Sequence, residues 1–127
     1  MVTINKNNSR PYYEQLMIGI KEEILHGILQ PGDQVPSVRE MAKQLLMNPN
    51  TVSKAYKLLE SEQVLITVKG KGTFVRADTI ARDESRVKEW KQQLAVLLIE
   101  AKHLQITNQE MKQWFDEIQQ DLGGKDE

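Results

Sequence analysis

Asn48-Pro49-Asn50-Thr51-Val52-Ser53-Lys54-Ala55-Tyr56-Lys57-Leu58-Leu59 decides how this 127-residue chain folds. Asparagine before proline reads as a helix start. The Asn48 side-chain oxygen can accept an orphan amide, and proline at the first helical position has no N–H to leave unpaired. Advancing about 100° per residue from Asn50 puts Val52, Ala55, Tyr56 and Leu59 near about 200°, 140°, 240° and 180°, which is one apolar stripe. Asn50, Lys54, Lys57 and Ser53 fall near about 0°, 40°, 340° and 300°. That opposite side carries amide, hydroxyl and ammonium groups, with small or amide side chains at its N-terminal end, and suits an external polar partner better than a core.

The flanking sequence supplies the supports for this helix. Ser37-Val38-Arg39-Glu40 reads as a capping box, in which serine oxygen and glutamate each satisfy an amide at a helix start. The helix that follows is short, with Val38, Met41, Ala42 and Leu45 facing inward, and should stop near Leu46 or Met47 because Pro49 disfavours helical geometry at Asn48. Earlier, Tyr13, Leu16, Met17, Ile20 and Ile24 give residues 12 to 26 the spacing of a helix burying one face, with Gly27 as a C-terminal cap. Gln30-Pro31-Gly32-Asp33 reads as a turn. Later, Val64 to Val68 and Thr73 to Val75 read as strands of a hairpin whose tip is Lys69-Gly70-Lys71-Gly72. Two short helices in tandem, a supporting helix before them and a basic hairpin after them describe a winged helix-turn-helix.

Thr79 through about Leu104 reads as a further helix, in which Val87, Trp90, Leu94, Leu97, Ala101 and Leu104 recur in steps of three and four as a heptad seam does. Thr107-Asn108-Gln109-Glu110 is a second capping box, and Met111, Trp114, Phe115, Ile118 and Leu122 give the last helix an apolar stripe. The expected class is therefore mainly α with a small β-hairpin: a winged helix-turn-helix domain over residues 1–77, a two-helix C-terminal tail over 78–122 that dimerises, and a disordered end over 123–127. About 50 residues bury little core alone, which favours a homodimer. Trp90, Leu94, Leu97, Trp114, Phe115 and Ile118 are the candidates for its two-fold interface.

Charge divides along the same line. Residues 1 to 76 hold 10 Lys+Arg and 7 Asp+Glu, while residues 77 to 127 hold 7 and 11, which sums to the net -1 of the chain. Residues 37 to 76 alone carry Arg39, Lys43, Lys54, Lys57, Lys69, Lys71 and Arg76 against Glu40, Glu60 and Glu62, a local excess suited to a polyanion. The acidic tail stays off that partner. With no cysteine there is no disulfide framework, thiol nucleophile or thiolate metal site, and a reducing cytoplasmic home fits. No stretch has the length of a secretory signal core or a membrane span, so no membrane partner is expected. His26 and His103 stand apart from any other histidine, so no metal and no cofactor are expected. A small hydrolase or transferase is disfavoured, because no nucleophile, base and oxyanion donors come as a set.

A major groove about 12 Å wide admits one helix, and a tight turn holds the second helix proud of its domain so that its polar N-terminal face can enter. Asn50 can then pair with adenine, Thr51 can meet a thymine methyl or a phosphate, and Lys54 can reach guanine or phosphate oxygens. The glycines and lysines of the tip let backbone amides and ammonium groups lie against phosphates or enter the adjacent minor groove.

Three blocks in order carry a family resemblance: Pro31-Gly32-Asp33-Gln34-Val35-Pro36-Ser37-Val38-Arg39-Glu40-Met41-Ala42, then Asn50-Thr51-Val52 through Leu58-Leu59-Glu60, then Gly70-Lys71-Gly72-Thr73-Phe74-Val75. Together they resemble the DNA-binding domain of GntR-type bacterial transcription regulators over roughly residues 10 to 76. The short tail resembles the YtrA-like branch of that family. By matching position the resemblance implicates Arg39, Asn48, Asn50, Thr51, Ser53, Lys54, Lys69 and Gly70 in DNA contact. Lys57 and Lys71 join them on the strength of the helix face and the hairpin tip. It further implies a cytoplasmic homodimeric repressor, often of a transporter operon. Two departures matter. Gln63 stands where the family usually has glycine, a strain of about 1 kcal/mol if the position needs positive φ. Relatives often have arginine where this chain has Asn48-Pro49 and Lys54, and lysine cannot make the planar bidentate contact to guanine.

A two-fold dimer implies double-stranded DNA with a palindromic operator whose half-sites lie about 34 Å apart, or a multiple of that. An unknown small-molecule effector would bind between protomers or between tail and winged domain. The competing reading is a winged-helix adaptor that binds protein and no specific DNA, and salt-sensitive retardation of duplexes separates the two.

Overall fold

The computed structural model describes residues 2–123. Contacts divide it into two units, one spanning residues up to Asp78 and one beginning at Thr79. In the first, α1 (Tyr12–Leu25), α2 (Val38–Leu45) and α3 (Pro49–Ser61) precede a hairpin of β1 (Leu65–Val68) and β2 (Gly72–Val75). In the second lie α4 (Glu84–His103) and α5 (Asn108–Leu122).

The local signals act where the sequence places them. Ser37 accepts from the Glu40 amide at 3.1 Å while the Glu40 carboxylate accepts from the Ser37 amide at 3.1 Å, a complete capping box at the start of α2. Those hydrogen bonds favour the charged carboxylate and hold Glu40 below its ordinary pKa. Thr107 and Glu110 repeat the arrangement at α5. Gly27, at φ 75, closes α1: its amide bonds Ile24 and the Ile28 amide reaches back to Glu23, the paired bonds of a Schellman motif.

The apolar stripes of the first three helices meet in one core. Leu16, Ile20, Val52, Leu59 and Leu65 are fully buried there. Tyr56 closes it from α3, donating its hydroxyl to the Pro36 carbonyl at 2.6 Å, and burial pushes its phenol well above the ordinary value. Lys21 of α1 pairs with Glu62, just past the end of α3, at 2.6 Å.

Four features depart from the sequence reading. The hairpin has a third member: Gly32 donates to Val75 at 2.9 Å, Val75 to Asp33 at 2.8 Å and Val35 to Thr73 at 2.9 Å, so the chain beyond the expected turn runs as a short edge beside β2. Gly72, read as part of the tip, belongs to β2 opposite Val68, while Val64 falls outside β1. The first tail helix begins at Glu84 rather than Thr79, because the Asp83 carboxylate caps it by accepting from the Arg86 amide at 3.2 Å. Residues 2–10, which sequence periodicity leaves unassigned, are docked on α1. Val2 is buried against Gly19, where a Cβ would collide with it, and the buried Gln15 amide bonds the backbone of Asn5 twice and that of Arg10 once.

Within the tail, α4 and α5 touch each other little. Ala101 is its one buried residue among the described ones. Leu98 of α4 and Met111 and Phe115 of α5 line one shallow, open groove together with Asn108, Lys112 and Asp116. Apart from Gly123, the end expected to be disordered lies outside the described residues.

Candidate nucleic-acid interface

α3 is held by its apolar side. Val52, Ala55, Tyr56 and Leu59 are buried, whereas Asn50, Lys54 and Lys57 are exposed and Thr51 and Ser53 half-buried. The polar side of the helix therefore faces outward, as its angular pattern requires. At its start the Asn48 side-chain oxygen accepts from the Asn50 amide at 2.8 Å, which commits that oxygen to the cap and leaves the amide nitrogen to donate elsewhere.

The turn ahead of α3 is tight because Leu46 takes a left-handed conformation at φ 54, letting the Met47 amide reach Ala42 at 2.9 Å. After α3 the same device recurs. Gln63 has φ 63, with its amide on Glu60 at 3.0 Å and the Val64 amide on Leu59 at 2.9 Å, so the residue in the family's glycine position does carry the left-handed strain. This turn sends the chain directly into the wing, and Thr67 of β1 ties the wing back by donating to Glu60 at 2.6 Å.

At the wing tip Lys69, Gly70 and Lys71 are exposed, and Gly70 turns the chain with φ 78. The Lys71 amide closes the loop on the Val68 carbonyl at 3.0 Å. Gln34 fastens the tip from the side, its amide donating to the Lys71 carbonyl at 3.1 Å, and a Cβ at Gly72 would collide with that same side chain. Arg39 is exposed near the start of α2 and, among the described residues, pairs with no carboxylate; its neighbour Glu40 is engaged by Ser37. Of the seven cations between residues 37 and 76, Arg76 is neutralised by Asp78 at 2.9 Å. The other six make no ion pair among the described residues. The cationic excess seen in the sequence therefore survives folding.

Two supporting contacts leave no signal in the sequence. Gln34 gives no periodic signal, because its partner is the tip backbone 37 positions later. Tyr13 was placed by its spacing in the apolar stripe of α1, and it does pack on the core, but its ring also lies 3.9 Å from the Lys54 ammonium. Among the described residues no group of three or more metal-ligating side chains comes together, and no helix is long and apolar enough to cross a membrane.

A helix with a buried apolar side and an exposed cationic side, a tight turn before it and a lysine-tipped ribbon after it define the class: a winged helix-turn-helix DNA-binding regulator. Comparison with known proteins narrows this. Residues 12–75 match the family model described as bacterial regulatory proteins, gntR family, and the chain belongs to that family. It is 41% identical over 127 residues to the HTH-type transcriptional repressor YtrA of Bacillus subtilis, covering 98% of each chain. A crystal structure described as a transcriptional antiterminator from Listeria monocytogenes EGD-e superposes with TM-score 0.93 at 40% identity, covering 100% of this chain and 96% of that one. The DNA-binding domain of AraR in complex with operator ORX1 superposes with TM-score 0.53 at 31% identity, over 59% of this chain and 94% of that one.

Proposed function

We propose that the protein is a cytoplasmic homodimeric repressor that binds a palindromic operator. Residues 1–77 form the DNA-binding domain and residues 78–122 the dimerisation tail. The observation that carries the DNA half of this reading is the outward cationic face of α3. Asn50 and Thr51 specify bases from the N-terminal turn, Lys54 reaches base or phosphate, and Asn48, Ser53 and Lys57 flank them. Arg39, Lys69, Gly70 and Lys71 hold the phosphates on either side. The relatives' descriptions support the reading: the similar Bacillus protein is a named repressor, and the AraR domain was solved on an operator. The YtrA-like tail adds a transporter operon as the target class.

The dimer half rests on the tail. Trp90 is 63% exposed, Leu97 60% and Phe115 61%, with Leu94, Trp114 and Ile118 also exposed. A tail that leaves two tryptophans and its seam leucines in water is incomplete as a single copy, since each large apolar side chain brought out of water contributes about 1.5–3 kcal/mol. A second copy covers these residues through a two-fold axis. A signal that changes how the tails pair would alter the separation of the two α3 helices and so operator affinity.

Selection of bound fragments from genomic DNA tests the whole reading. The expected result is a palindrome with half-site centres about 34 Å apart, or a multiple of that, bound with an affinity that falls steeply between about 50 and 200 mM salt. Failure to retard any duplex would replace the repressor with a winged-helix adaptor that binds protein.

A further inference from the structure

Among the cations of the candidate interface, Lys54 stands apart. Its ammonium lies 3.9 Å from the centroid of the Tyr13 ring. Lys57, about one turn further along α3, has no aromatic partner among the described residues. Tyr13 is itself fixed: it is half-buried, packs on the hydrophobic core, and donates its hydroxyl to the neighbouring Glu14 carboxylate at 3.4 Å. The ring is part of the domain's frame, and the flexible partner is the lysine.

We infer that Tyr13 is a positioning residue for sequence reading: its ring holds the Lys54 ammonium in place, so that α1 takes part in base selection without touching DNA. The inference rests on the proposed role of α3 as the reading helix. Its physics is that of preorganisation. A lysine side chain has among the largest rotamer freedoms to lose on ordering, and a solvated lysine loses it at the moment of binding. Seated over a ring, Lys54 has lost much of it in the free protein. The ring takes one face of the ammonium, and N–H groups remain on the other to donate to a base edge or phosphate. Lys57, with no ring to hold it, supplies charge at variable geometry, which attracts phosphate but discriminates little between bases.

The test uses the full chain and a randomised duplex library, with wild type, Tyr13→Phe, Tyr13→Leu, Lys54→Ala and Asn50→Ala compared in parallel. Tyr13→Phe keeps the ring and loses only the hydroxyl, and it should recover the wild-type motif. Tyr13→Leu should recover a motif that is degenerate at one step in each half-site. Discrimination at that step should drop about two- to fivefold, the scale of an exposed cation–π contact, with an unchanged salt slope because no charge has been removed. A wild-type motif from Tyr13→Leu, when Lys54→Ala blurs that step, overturns the inference and leaves the reading role of α3 standing. A motif that Lys54→Ala leaves intact overturns this inference, and one that Asn50→Ala also leaves intact overturns the reading role of α3 with it. Should Tyr13→Leu unfold, wild-type NMR decides. Upfield ring-current shifts of the Lys54 side-chain methylenes, in the free protein and on the selected duplex, support the seat; random-coil positions overturn it.

Discussion

Replacing Gln63 with glycine should stabilise the winged domain. Gln63 sits at φ 63 between α3 and β1, and the backbone bonds that fix it there run from its own amide to Glu60 and from the Val64 amide to Leu59. Glycine can make both. The left-handed conformation costs an L-residue about 1–2 kcal/mol through the approach of Cβ to the following carbonyl, and Gln63→Gly removes that cost. Against it stands the extra freedom glycine brings to the unfolded chain, about 0.4–1 kcal/mol. The exposed Gln63 side chain makes no hydrogen bond among the described residues, so little else is lost. The net gain is about 0.5–1 kcal/mol, which for a domain of this size raises Tm by about 2–8 °C. Thermal unfolding followed by circular dichroism reads this directly, with protein concentration held fixed because a dimer's Tm depends on it. Gln63→Ala is the control: it loses the amide and keeps Cβ, so its Tm should stay near wild type. A glycine variant no more stable than wild type, or an alanine variant stabilised equally, would refute the assignment of strain to Cβ.

Other outcomes follow from the same geometry. Asn50→Ala should cost about 1–3 kcal/mol on the cognate duplex and relax base choice, whereas Lys71→Ala should weaken all duplexes about equally and flatten the salt slope by about one unit. Equal losses on every duplex for both would remove Asn50 from base reading. Trp114→Ala should weaken the proposed dimer and with it operator affinity, and an unchanged dissociation constant in sedimentation would take Trp114 out of the proposed interface. Tyr56→Phe should cost about 1–2 kcal/mol at neutral pH by orphaning the Pro36 carbonyl. Because burial raises the Tyr56 phenol, its contribution is whole below the unfolded value near about 10 and is lost as pH climbs towards and through the folded value, so the variant should lose less stability at alkaline pH than wild type. Glu40, held low by Ser37, acts in the opposite sense: the cap's contribution is present above the ordinary carboxylate range and lost as pH falls through the depressed value. Ser37→Ala should remove part of that acid sensitivity, as an acid melt would show.

Most of the frame was legible because its signals are local. Ser37 with Glu40, Thr107 with Glu110 and Asn48 with Pro49 each satisfy or excuse backbone groups within three residues, and such contacts form wherever the helix forms. The inward face of α3 was legible for a similar reason, since 3.6-residue periodicity alone sorts Val52 and Leu59 from Asn50 and Lys54. The start of α4 was misplaced because periodicity carries past a boundary that the Asp83 cap sets.

The sequence by itself determined which residues start helices, which face of each is apolar, and that the cations cluster ahead of an acidic tail, because those properties depend on neighbours a few positions away. Only the tertiary structure decided that Gln34 steadies the wing, that residues 2–10 lie on α1, and that a half-buried tyrosine of α1 lies under the ammonium of a lysine of α3. These pairings join groups 10 to 41 positions apart, two of them side chain to backbone, in segments that no shared period links. They exist because close packing of the three helices brings their flanks within contact distance, and the cost of closing the intervening chain is met by the core as a whole rather than by any one pair.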